Sequence, residues 1–60
     1  MISIAQGLFM AEQEFLSELR HYNGIISIYD FNRLLNKYQI SEKQCEDLLT
    51  QYREEIYVTL

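Results

Sequence analysis

Apolar residues return along the first third of the chain at helical steps. Ile4, Leu8, Ala11, Phe15, Leu19 and Tyr22 follow one another at intervals of four and three, the spacing that lines one face of an α-helix. Ser3 followed by Gln6 predicts a capping box at the start, and Asn23-Gly24 predicts the stop, because glycine accepts the left-handed conformation that closes a helix. Gly7 weakens a helix, so a competing arrangement puts residues 1–5 in a short strand and starts the helix near Leu8.

The next segment changes period. Ile25 and Ile26 are β-branched and sit between a glycine and a hydroxyl cap, which suits a very short strand. Ser27 caps a second helix, with Asp30 at the capping-box position and favourably placed near the helix N-terminus. Ile28, Phe31, Leu34, Leu35 and Tyr38 form its apolar face. A third helix opens at Ser41 with Gln44 completing a capping box, and Cys45, Leu48, Leu49 and Tyr52 line one side. After Glu55 the run Ile56-Tyr57-Val58-Thr59-Leu60 predicts a strand, and its natural mate is Ile25-Ile26. The inward positions of the three helical faces predict a core of Phe15, Leu19, Phe31, Leu34, Leu35, Leu48, Leu49 and Tyr52.

The expected fold is therefore mostly α: one domain over residues 1–60, three helices and a minimal two-stranded β-ribbon. A 60-residue domain buries only about 60% of its unfolded surface, so its stability amounts to a few kcal/mol unless a partner adds burial. No stretch approaches the roughly 20 apolar residues of a membrane span, and no secretory signal is present, so a cytoplasmic protein without a membrane partner is expected.

Composition narrows the chemistry. One cysteine, Cys45, cannot form an internal disulfide, and with a single histidine, His21, it cannot supply the four ligands of a zinc site. Cys45 and His21 lie on different elements, no phosphate loop or cofactor fingerprint is present, and no metal, cofactor, small-molecule substrate or catalytic residue is expected. Asn23-Gly24-Ile25-Ile26-Ser27 followed by Asp30-Phe31 resembles the second half of an EF-hand loop. The preceding ligand positions would be Leu19 and His21, where calcium requires oxygen donors, and a C-capping glycine followed by an N-cap explains the same residues.

Net charge is −4, distributed unevenly. Both ends are acidic and the middle is mildly basic, with Arg20, Arg33 and Lys37 against Asp30. The segment Ile28 to Leu49, with its turn at Gln39-Ile40-Ser41, resembles a helix-turn-helix. With the flanking strands, the order helix, strand, helix, helix, strand is similar to a winged-helix domain with an abbreviated wing. Leu35 stands where that family usually has a small residue, and Gln39 where it usually has glycine. The resemblance implies DNA recognition by the third helix, yet that helix region offers Glu42, Glu46, Asp47, Glu54 and Glu55 against Lys43 and Arg53, and phosphates repel carboxylates.

Five tyrosines exceed the needs of so small a core. Phe9 and Met10 lie beside the main face of the first helix, and Tyr29 lies off the stripe of the second. Aromatic residues and methionine concentrate at protein interfaces. The first expectation is a non-enzymatic regulatory or accessory protein, of the kind that phages and mobile elements encode, binding a protein partner or forming a homodimer through Phe9, Met10, Tyr29, Tyr57 and Val58. The alternatives are a DNA-binding regulator of winged-helix type using Arg20, Arg33 and Lys37, and an acidic DNA mimic that inhibits another protein; specific DNA binding is the less favoured outcome.

Overall fold

The computed structural model describes the backbone from Ile4 to Leu60 and the side chains from Phe9 onward. It contains three helices and a two-stranded parallel sheet: α1 (Ile4–Arg20), β1 (Ile25–Ser27), α2 (Ile28–Tyr38), α3 (Glu42–Gln51) and β2 (Tyr57–Thr59). Ile4 and Ala5 are helical, so the competing strand loses at those two positions; the Ser3 capping box and residues 1–3 lie outside the described residues. No helix among the described residues is long and apolar enough to cross a membrane.

Local signals set the helix boundaries. Ser27 accepts a hydrogen bond at its hydroxyl from the Asp30 amide at 3.1 Å, and donates that hydroxyl to the Asp30 carboxylate at 3.2 Å. Asp30 thus meets the Ser27 side chain, where a longer glutamate would reach back to the cap's backbone. Ser41 and Gln44 form the complete reciprocal capping box. The intervening turn spans three residues, as expected. Gln39 adopts a left-handed conformation (φ 53°), its amide bonds to the Asn36 carbonyl, and the Ile40 amide bonds to the Leu35 carbonyl at 2.9 Å. That pattern satisfies two terminal carbonyls of α2 and drives Ile40 into the core beneath the turn. Arg53 (φ 54°) repeats it after α3, with the Glu54 amide on the Leu49 carbonyl.

Asn23 and Gly24 both have positive φ, and they swing the chain from α1 into β1. The strand pairing expected from the sequence is present, with Ile25 opposite Tyr57, Ile26 opposite Val58 and Ser27 opposite Thr59. The strands run parallel. β2 pairs with β1 across the whole helical pair and does not fold back as one arm of a hairpin, the geometry a wing requires.

The core comprises Phe15, Leu16, Leu19, Ile26, Leu34, Leu35, Ile40, Cys45 and Leu48. Phe31, Leu49 and Tyr52, expected inside, are only half-buried and pack against this cluster from its margin, as do Tyr22, Tyr38 and Ile56. Leu16, Ile26, Ile40 and Cys45 take their places. A helical stripe of a small domain is wider than one row, so Leu16 shares the inward side with Phe15. Ile28, at the N-terminal edge of the α2 face, is exposed.

Candidate functional site

The five tyrosines divide into two sets. Three are tied to the scaffold by their hydroxyls: Tyr22 accepts from Arg33 Nη2 at 3.1 Å, Tyr52 accepts from Gln13 Nε2 at 2.7 Å, and Tyr38 donates to Glu18. The Tyr38 ring also meets Phe15 edge-on at 6.2 Å. These half-buried phenols pack their rings on the core and spend their hydroxyls within the fold, so all three are structural. Tyr29 and Tyr57 are 76% and 73% exposed and make no hydroxyl hydrogen bond among the described residues.

Strand pairing sets the position of Tyr57. Successive residues of a strand face opposite sides, so Ile26 and Val58 turn towards the core while Ile25 and Tyr57 turn away. Ile26 is 1% exposed; its neighbour Val58 is only partly covered because β2 lies at the margin of the core. The outward face of the sheet therefore carries a bare isoleucine beside a bare tyrosine. Tyr29 stands two residues beyond β1, in the first turn of α2, and Leu60 follows β2 fully exposed. Ile25 was not among the residues expected at an interface; its alternation with the inward Ile26 was the signal for it.

Phe9 and Met10 are also exposed, but they belong to a second patch. Ten helical residues separate Met10 from the C-terminal end of α1, about 15 Å, and the sheet begins beyond that end. The structure thus brings Tyr57 and Val58 together with Ile25, puts Tyr29 next to β1 in sequence, and leaves Phe9 and Met10 apart.

The basic candidates are likewise separated, and each is matched with an acid. Arg20 Nε lies 2.7 Å from Glu54 Oε1, Lys37 Nζ lies 3.1 Å from Glu18 Oε2, and Arg33 Nε lies 3.7 Å from Asp30 Oδ1. Glu54, expected on the exposed face of α3, instead lies beyond that helix and half-buried against Arg20. α3 keeps Glu42, Glu46 and Asp47 exposed, with Lys43 between them.

Glu18 gathers two donors from α2. Tyr38 donates to it, Lys37 donates to the same oxygen, and together they hold its carboxyl below the usual carboxylate range. Cys45 lies in the core, and burial pushes its thiol up to about 11, which suppresses the thiolate a nucleophile needs. His21 is exposed after α1, and no hydrogen bond links it to Cys45 among the described residues. A groove of about 270 Å3 lies between the end of α1 and the loop after α3, and the Arg20–Glu54 pair on its wall bonds internally.

Comparison with protein-family models, with curated proteins and with solved structures finds no match to this chain.

Proposed function

We propose that this chain is a small non-enzymatic accessory or regulatory protein that acts by binding another protein chain. The observation that carries the proposal is the division of the tyrosines. A domain of this size holds three of them by hydroxyl bonds at the margin of its core and leaves Tyr29 and Tyr57 bare, Tyr57 opposite the equally exposed Ile25. Rigid aromatic side chains cost little entropy to dock and carry much of the energy at protein interfaces. Phe9 and Met10 supply a second contact on α1. The charge pattern supports the same conclusion: Arg20, Arg33 and Lys37 are already engaged with carboxylates, and α3 presents acids.

The test replaces exposed residues that the fold does not use. Tyr29→Ala with Tyr57→Ala is compared with Phe9→Ala with Met10→Ala, each checked for an unchanged thermal midpoint. Captured partners from the native host are then quantified by mass spectrometry. The expected result is loss of a defined partner, or of self-association, in at least one double variant that melts like the parent. Retention of every partner and of the oligomeric state by both variants would overturn the proposal.

A further inference from the structure

Among the described residues the sheet of this domain ends on an open strand. Tyr57 donates its amide to the Gly24 carbonyl at 2.7 Å, and in the parallel register that follows, Tyr57 and Thr59 direct their backbone groups at β1. Successive residues of a strand turn their N–H and C=O to opposite edges, so the amide and carbonyl of Val58 face away from β1, as do those of Ile56 and Leu60 if the strand is extended by one residue at each end. Two short parallel strands make a sheet that is marginal by itself, and an unpaired edge of this kind is a template for another strand.

We propose that a second copy of this chain occupies that edge, with the two β2 strands antiparallel about a two-fold axis through Val58, making a four-stranded sheet across the dimer. This deepens the protein-binding function proposed above and rests on it. The observation that favours a second copy is register. Run antiparallel against itself, Ile56-Tyr57-Val58-Thr59-Leu60 sets Val58 opposite Val58, Ile56 opposite Leu60 and Tyr57 opposite Thr59. Apolar side chains then meet apolar ones on the core side, the two hydroxyl-bearing residues meet on the other, and no charged side chain falls inside the window. The Val58 pair exchanges both outward-facing backbone bonds, as a C2 interface requires.

The experiment measures association of the full chain by sedimentation across concentration, for the parent and three variants. Val58→Pro removes the outward amide, which β1 does not use, and proline is tolerated on an edge strand when its nitrogen faces solvent. Val58→Thr keeps the amide and the shape. Leu60→Asp alters a fully exposed side chain and so tests the edge if Val58→Pro disturbs the fold. The expected result is a concentration-dependent dimer in the parent and Val58→Thr, weakened about tenfold or more in Val58→Pro by the loss of paired ladder bonds and in Leu60→Asp by a carboxylate set opposite Ile56. In mixed-label samples, an intermolecular NOE should join Tyr57 Hα of one copy to Thr59 Hα of the other. A monomer at every concentration would overturn the second-copy proposal, and so would a dimer that ignores both weakening variants. If such a monomer still captures a different chain through Tyr29 and Tyr57, the protein-binding function survives and this inference alone fails.

Discussion

The hydroxyl of Tyr38 and the ammonium of Lys37 converge on one oxygen of Glu18, so that two neighbouring residues of α2 hold a single acid of α1. The consequence is a pH dependence with a known sign. Tyr38, and after it Lys37, stabilises the charged carboxylate and lowers its pKa below the ordinary 4.5. Its contribution to stability is therefore present at neutral pH and is lost as pH falls through the carboxylate range. At the other end, Glu18 raises the pKa of Tyr38 above the ordinary 10.0 and of Lys37 above 10.5, and that contribution is complete below about 10 and lost above it. Glu18→Gln should flatten both limbs of the curve of urea midpoint against pH, relative to the parent. Parallel curves for parent and variant would show that the pairing is energetically silent.

Core depth separates two adjacent leucines. Leu48 is buried, while Leu49 lies at the margin of the cluster. Leu48→Ala should cost about 2–5 kcal/mol, most of what a domain this size has available. Leu49→Ala removes the same atoms from a half-wet position and should cost about 1 kcal/mol. Denaturant midpoints for the two variants check the order; equal losses would mean that α3 is rotated about its axis from the position described.

Much of the local structure was legible in the sequence because it is made by neighbours. Ser27, Ser41 with Gln44, and Gly24 act within four residues of themselves, the first three through their side chains and Gly24 through its freedom to take positive φ. Burial depth was less legible: a periodic stripe gives a helix face but not its distance from the centre, so Leu49 and Tyr52 were expected inside while Leu16 and Ile40 were missed. Strand direction was not legible, since alternation in Ile56 to Leu60 is the same read either way. The pairing of Arg20 with Glu54 joins residues 34 apart in sequence, and nothing local announces it. The candidate interface was found in its residues but not in its grouping, because only the fold separates Phe9 and Met10 from Tyr57.

The two turns closing α1 and α2 respond oppositely to glycine. Gln39 holds a left-handed conformation that costs an ordinary residue about 1 kcal/mol. Gln39→Gly should recover about 0.5 kcal/mol net of the extra freedom glycine has in the unfolded chain, raising the thermal midpoint by a few degrees. Gly24 has φ +91°, and a Cβ there would approach only the Glu55 carbonyl at 3.7 Å, an ordinary contact. The penalty of Gly24→Ala is then backbone strain alone, about 1–2 kcal/mol. Calorimetry on both variants should give shifts of opposite sign.

Duplex DNA should not be bound tightly or with sequence specificity. In a helix-turn-helix mode α3 is the reader, and its exposed side carries Glu42, Glu46 and Asp47 around Lys43. The remaining route runs through Arg20, Arg33 and Lys37. Each of these is half-exposed, and each already has a carboxylate within 4 Å, at 2.7 Å from Glu54, 3.7 Å from Asp30 and 3.1 Å from Glu18. A phosphate would have to displace that acid and then tolerate its charge nearby, so even three full contacts would be discounted. Three contacts give a log–log salt slope of about −3, well short of repressors that make six or more. A dimer doubles the contacts but also the acids, since every basic residue brings its paired carboxylate across the two-fold with it. Selection from a random duplex pool at about 150 mM salt should therefore recover no consensus, and a titration of labelled duplex should show weak binding that vanishes as salt rises. Recovery of a defined palindromic site at nanomolar affinity would reverse the order of the two functions and assign Arg20 at the end of α1, with Arg33 and Lys37 of α2, to the phosphates.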